Sequence, residues 1–342
     1  MSPIAAHRPV VVGLGAVDPL LVTGILGDEV SFVADPGSED LAGAVGAIVR
    51  ADAVVDAAFL DCVPRLRVLA RTGVGVDLID LPAASARGIP VVITPGAGTR
   101  AVAEGVLAMA LHLVKRLGPL TDLVRQNRWA DRARVPVGDL DGATMGIVGY
   151  GRIGRRVGEL AEAFGMRLVA YDPFNRPPSG IASADLAGVA SASNVVTLHV
   201  PLTNQTHHLV DKAFLDHIQP GAVLINCGRG GLVDLDAALA ALQSGRLAGV
   251  GLDVFDPEPP SHHPLFDHPN VVLTPHLMGL TRRAMAATFA DAARGVVDVL
   301  NGRSPAAVAN PDWADPHPST ATEHPSRRLT EGLERIKEVR TT

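Results

Sequence analysis

ATMGIVGYGRIG, residues 143–154, places Gly149, Gly151 and Gly154 directly after an apolar run and directly before the helical stretch RRVGELAEAF. Glycines at this spacing permit a tight turn, close approach of backbone to a pyrophosphate and close contact with the following helix, whose N-terminus favours phosphate. About 20 residues on, after a second apolar run, comes Asp172 in AYDP, where a carboxylate can hold the ribose hydroxyls of an adenine dinucleotide. The bare glycine pattern is weak, but a strand before it, a helix after it and an acid at that distance make it strong. Two other glycine clusters, GLGAVD at Gly13 and TGVGVD at Gly73, lack the third glycine and the acid, and read as turns that end strands. The second has a further use, because successive amides of Val74 and Gly75 form a nest suited to a carboxylate.

Outward from this loop, short β-branched runs alternate with Ala- and Leu-rich stretches, the pattern of parallel βαβ units. Strands are predicted at 145–148, 167–171, 195–199, 222–226, 250–254 and 271–274, a six-strand nucleotide domain spanning residues 99–280. A second lobe, residues 1–98 with 281–313, is predicted from strands at 10–12, 29–34, 47–50, 68–72 and 91–94 and from a last helix, 282–300, that crosses back to it. The fold class is therefore α/β, with two doubly wound parallel-sheet domains. A helix opening at Thr99, with the Thr99 hydroxyl as cap and Glu104 near its positive end, is apolar on most sides. Such a helix is expected to need cover from beyond its own domain, either in a homodimer interface or between the domains of one chain. Residues 314–342, in a proline-rich stretch, are expected to form a mobile tail with a short charged helix near 329–339.

The 342 residues are 47% hydrophobic and 19% charged with a formal charge of -6, a globular composition. That charge gives no general attraction to nucleic acid or to an anionic membrane. No apolar run reaches the length of a membrane span, and the start lacks the pattern of an export signal. Cys62 and Cys227 are too few for a disulfide scaffold, so a cytoplasmic location is expected. His207 with His208 and His262 with His263 lack HExxH spacing or a third ligand, so they read as loop residues and no metal is expected.

Arg229 in NCGRG, Glu258 in DPEP and His276 in TPH fall where strands of the nucleotide domain should end. One cation, one carboxylate and one imidazole are what a site needs to hold an anionic carbonyl compound and move a proton. Composition and spacing alone do not bring the three together. The ordered motifs SNVVTLHVPLTNQTHHLV from Ser193, IQPGAVLINCGRGGLVD, GLDVFDPEPP and LTPHLMG resemble the D-2-hydroxyacid dehydrogenase family, in its phosphoglycerate dehydrogenase-like branch. The resemblance runs from about Val68 to Asn310.

The resemblance implies a flavodoxin-like substrate domain and a Rossmann NAD-binding domain with a cleft between them. It implies that Arg229 grips the substrate carboxylate and polarises its carbonyl, that His276 is the acid in reduction and the base in oxidation, and that Glu258 pairs with His276 and orients its ring. Cofactor contacts are implied at Thr99, Gly149, Gly151, Arg152, Ile153, Gly154, Asp172, His199, Pro201, Thr206, Cys227 and Asp253, the last near the nicotinamide carboxamide. Asp172 repels a 2′-phosphate, which favours NAD over NADP, although Arg176 close by softens that preference. Met278 stands where the family commonly has glycine or alanine, which reduces room near His276, and Thr94 and Gly98 fall where asparagines are frequent.

Arg50 in AIVRAD and Arg71 in LARTGVG end predicted strands of the first lobe, and Arg132 and Arg134 follow Trp129. These resemble the basic positions used for phosphate and carboxylate in that branch, and with Val74 and Gly75 they are the candidate substrate contacts. Converging guanidinium groups suit a second anionic group, so a phosphoglycerate-like or phosphonate-bearing acid is expected, with glyoxylate or hydroxypyruvate as the alternative. A rival of another class, an NAD(H)-sensing binding protein of corepressor type without turnover, shares the fold and is disfavoured by the presence of all three residues.

Overall fold

The computed structural model describes residues 8–314. It divides into two compact units, one comprising the chain up to Gly98 and from Arg282 onward, the other Thr99–Thr281. The first unit holds β1 (Val10–Leu14), β2 (Ser31–Val33), β3 (Ala44–Val49), β4 (Val68–Arg71) and β5 (Val91–Val92), all parallel in the order β2-β1-β3-β4-β5. This is the doubly wound order of flavodoxin-like sheets. β3 reads AVGAIV and is almost wholly buried, as a central parallel strand covered on both faces must be. One face is covered by the Arg282–Leu300 helix, whose Phe289, Ala292, Ala293 and Val296 pack with Val11, Ile48, Val68 and Ala70. The other face packs Leu14, Val49, Phe59, Leu60 and Leu69 into a second cluster.

The second unit carries β6 (Thr144–Val148), β7 (Arg167–Tyr171), β8 (Ala182–Ser183), β9 (Val195–Leu198), β10 (Ala222–Asn226), β11 (Leu247–Leu252) and β12 (Val271–Leu273). Their order, β12-β11-β10-β9-β6-β7-β8, is again all parallel. The chain reverses direction of winding between β6 and β9, which is where dinucleotides sit in such sheets. The expected six strands are seven. The addition, β8, is a two-residue exposed edge without the hydrophobic run that betrays a strand in sequence.

The helix Thr99–Val114 also departs from expectation. Its buried Ala103, Val106, Leu107, Met109, Ala110 and Leu113 belong to the core cluster of its own unit, with Met145, Ile147, Val157 and Ile225. These residues are thus packed within the helix's own unit. Thr99 is the first residue of the helix, and Glu104, beyond the first turn, pairs with Arg100 at 2.7 Å. Elsewhere, Val308 forms an antiparallel bridge to Val92, and Asn310 accepts from the Val91 amide while donating to Ile89 O and Ser85 Oγ. From residue 315 the expected tail lies outside the described residues.

Candidate active site

Gly149 follows β6 with φ +96, and a Cβ there would lie 2.7 Å from the His199 backbone carbonyl at the end of β9. Gly154 lies in the first turn of the Arg152–Ala163 helix, and a Cβ on it would strike the Gly149 carbonyl oxygen. Gly151 is the N-cap residue, makes no side-chain cap, and faces open space at its Cβ position. Two glycines therefore let strand, loop and helix close on one another, and the third leaves the helix N-terminus, at Arg152 and Ile153, open to an anion.

Asp172 follows β7 and reaches back to this loop. Its Oδ2 accepts from the Tyr150 amide at 2.7 Å and Asn175 Nδ2 at 3.2 Å, and Oδ1 from the amides of Phe174 and Asn175, each at 2.8 Å. Burial pushes its carboxyl up, but these hydrogen bonds outweigh it and hold the group below the ordinary carboxylate range. The open Gly151, the glycine cradle and a charged Asp172 fit a dinucleotide.

His199, partly exposed as a residue, has an enclosed Nδ1 with no hydrogen-bond partner among the described residues, while Nε2 meets Thr197 Oγ1 at 3.1 Å. Burial pushes it down from 6.5 to about 3, so the ring is neutral at physiological pH. Thr206 Oγ1 donates to Pro201 O at 2.7 Å and closes the loop after β9. Cys227, buried beside β10, has its thiol pushed up by burial and by the Asp253 charge, which leaves it an inert space-filler.

The three candidate catalytic residues converge on this unit. Asn226, fully buried at the end of β10, accepts from the Gly228 amide and donates from Nδ2 to Arg229 O, fixing the turn on which Arg229 stands. Arg229 Nη1 donates to Gly228 O at 2.8 Å. Gly230 allows this turn to lie against the next loop, because a Cβ there would overlap the Phe255 carbonyl. That loop carries Glu258, whose Oε1 accepts from the Phe255 amide at 3.0 Å and whose Oε2 lies 2.7 Å from His276 Nδ1. Burial pushes Glu258 up, but the His276 and Phe255 hydrogen bonds and the charges of His276 and Arg229 hold it below its usual value. His276 sits at φ +54, a left-handed conformation that costs a non-glycine residue on the order of 1 kcal/mol.

Asp253, 2% exposed, fixes the strained turn. Its Oδ1 accepts from Thr274 Oγ1 at 2.6 Å and the Leu277 amide at 2.9 Å, and both oxygens receive the Met278 amide, Oδ2 at 3.1 Å. The roles of Asn226, Gly230 and Thr274 have no signature in sequence, since each acts only through folded-loop contacts.

Of the candidate substrate residues, Arg50 and Arg71 end adjacent strands, with Val49 and Arg71 paired in register. Arg50 lies 5.4 Å over the Phe289 ring, and Arg71 Nη1 donates to Thr72 O at 2.5 Å. The amides of Val74 and Gly75 meet no acceptor among the described residues. Thr94 Oγ1, accepting from the Gly73 amide at 2.8 Å, ties down the loop that presents them. Arg132 and Arg134 belong to the other unit, where Arg132 stacks on Trp129 at 5.2 Å and Arg134 pairs with Asp131 at 3.3 Å. His207 stacks on His208, while His262 and His263 meet Asp267 and Asp236. Among the described residues no group of three or more His, Cys, Asp or Glu is disposed to hold a metal ion, and no helix is long and apolar enough to cross a membrane.

The two sheet orders and the glycine loop define a two-unit α/β protein with a dinucleotide-binding Rossmann unit. Residues 107–278 match the family described as D-isomer specific 2-hydroxyacid dehydrogenase, NAD binding domain. D-3-phosphoglycerate dehydrogenase of Rattus norvegicus is 37% identical over 269 residues, 78% of this chain and 50% of the rat protein. The TT0316 protein of Thermus thermophilus superposes with a TM-score of 0.81 at 35% identity, over 88% of this chain and 99% of that one. An NADPH-dependent glyoxylate/hydroxypyruvate reductase of Sinorhizobium meliloti gives a TM-score of 0.79 at 30% identity, over 90% and 99% of the two chains. The chain belongs to the D-isomer specific 2-hydroxyacid dehydrogenase family. It spans about half the length of the curated relatives it matches.

Proposed function

We propose that this protein is an NAD-dependent oxidoreductase that interconverts a 2-oxo acid and its D-2-hydroxy acid. The observation that carries the reading is the 2.7 Å contact of His276 Nδ1 with Glu258 Oε2, with the Arg229 charge acting on the same carboxylate. When bound, the nicotinamide supplies or accepts the hydride. Glu258 occupies Nδ1, so Nε2 of His276 is the atom that delivers a proton to the carbonyl oxygen in reduction and removes it in oxidation. Arg229 polarises that carbonyl and holds the adjacent carboxylate through its planar fork. In the first unit, the Val74 and Gly75 amides form a nest suited to a carboxylate. Asp253 holds the turn that carries His276, and its less occupied Oδ2 is the acceptor left for the carboxamide of the cofactor. Charged Asp172 favours NAD over NADP.

For the substrate we favour a phosphoglycerate-like acid with a second anionic group, on Arg50 and Arg71 standing together at the C-terminal ends of the neighbouring interior strands β3 and β4 and on the likeness to phosphoglycerate dehydrogenases. Glyoxylate or hydroxypyruvate is the second reading, on the likeness to the Sinorhizobium reductase. We infer a homodimer from Leu117, Val124, Trp129 and Val137, which stand exposed around the Leu117–Arg125 helix. A reducing cytoplasm suits Cys62 and Cys227, both buried and neither in a disulfide. The test is NADH oxidation with 3-phosphohydroxypyruvate, hydroxypyruvate, glyoxylate and pyruvate. Turnover of the phosphorylated acid that is lost in Arg50→Ala and Arg71→Ala supports the reading. NADH binding with no turnover of any acid would instead favour the corepressor-type binding protein.

A further inference from the structure

We propose that Met278 is a positioning residue for His276, acting through a notch that Gly105 leaves in the Thr99–Val114 helix. The inference rests on His276 being the proton-transfer group described above. Glycine is a poor residue for the interior of a 16-residue helix on propensity grounds, so the value of Gly105 lies in the space it leaves. That space is filled. A Cβ on Gly105 would lie 2.6 Å from Met278 Sδ and 2.8 Å from its Cβ and Cγ. A clash with the sulfur alone would be relieved by rotating a flexible side chain, but the Met278 Cβ is fixed to its backbone. Any side chain at 105 must therefore push the main chain at 278.

That main chain is the one that holds His276. The Met278 and Leu277 amides donate to Asp253 on one side of the imidazole, and Thr274 Oγ1 donates to the same carboxylate on the other. His276, between these ties, keeps φ +54 and the Glu258 contact. The helix is keyed to this segment along one face. Val102 lies 3.3 Å from the position of a Gly279 Cβ, Met109 Sδ 3.1 Å from that of Gly251, and Leu113 2.9 Å from that of Gly249. Residues 102, 105, 109 and 113 recur at helical spacing, so one stripe registers both β11, which leads to Asp253, and the turn with His276. Asp253 sets the shape of the turn, and Met278 in the Gly105 notch sets its place against the helix.

The experiment follows the His276 imidazole by NMR in intact, histidine-labelled protein, with His276→Asn for assignment, alongside kcat, KM and NADH affinity. Gly105→Ala is expected to displace the His276 titration midpoint and to lower kcat roughly tenfold, about 1.4 kcal/mol, with NADH affinity retained. Gly105→Ala with Met278→Gly, in which the methyl introduced at position 105 refills the space that the Met278 Cβ and Cγ leave, is expected to restore the midpoint and most of kcat. Met278→Ala, which empties the notch without touching the helix, is expected to displace the midpoint as well, and it carries the test should the helix variant fail to fold. An unchanged midpoint in the folded single variants, or a displacement that the double variant does not reverse, overturns the proposal. Because the titration is read without turnover, absence of dehydrogenase activity would defeat the catalytic reading and leave this positioning result legible.

Discussion

Glu258 Oε2 lies 2.7 Å from His276 Nδ1, although the two residues stand on separate loops and His276 holds a backbone conformation that favours glycine. The contact leaves one ring nitrogen for chemistry. Replacing Glu258 by Gln keeps the shape and removes the charge, so kcat is expected to fall on the order of 100-fold, while His276→Asn falls by about 10²–10⁴. NADH affinity, read by fluorescence titration, should stay near wild type in both. A loss of NADH binding in Glu258→Gln would place that residue in the cofactor site instead.

Arg229→Lys retains the charge and loses the planar fork. A charged bidentate contact contributes about 1.5–3 kcal/mol, so kcat/KM for the 2-oxo acid should drop roughly 10- to 150-fold. The Asn226 contacts hold the turn through backbone groups and do not depend on the Arg229 side chain, so the melting temperature should hold. Steady-state kinetics with a differential scanning melt distinguishes this from general loosening.

The dinucleotide loop gives two separable outcomes. Gly154→Ala drives a Cβ into the Gly149 carbonyl and should abolish NADH binding by moving the loop off the helix N-terminus. Asp172→Ala leaves the loop in place but removes its acceptor and the charge that opposes a 2′-phosphate. The ratio of kcat/KM for NADH over NADPH should fall, chiefly through KM. An unaltered ratio would show that Arg176 or another group decides cofactor choice.

What could be read from sequence was whatever depends on local order: the glycine loop, the acid after β7, the parallel β-α alternation and the three catalytic candidates in their motifs. What could not was whatever depends on space between distant segments. Gly105 reads as a weak helix position and Met278 as a bulky intrusion, and only the folded chain shows that one fills the other. The apolar Thr99–Val114 helix reads as an interface because hydrophobicity reports the need for burial and not the partner that meets it. β8 escaped because two exposed residues at a sheet edge carry no periodicity, and Asn310 because its three hydrogen bonds join segments far apart in the chain.

His199 supplies a prediction about acid stability. Its ring titrates near 6.5 when unfolded and at about 3 in the folded protein, so between these values the unfolded chain binds more protons. Stability from this residue is complete above pH 6.5 and is lost as pH falls towards 3, with a slope of at most about 1.4 kcal/mol per pH unit. Asp172 and Glu258, held below their reference values of 3.8 and 4.5, keep their contributions above those values and lose them only as pH falls further. The window from pH 6.5 to 5 therefore separates this histidine from those two carboxylates. Urea unfolding of wild type should show up to about 2 kcal/mol more loss across that window than His199→Asn, whose amide does not titrate. Parallel curves for the two proteins would mean that Nδ1 is reached by water or a proton in the folded state, and that its enclosure is not what keeps the ring neutral.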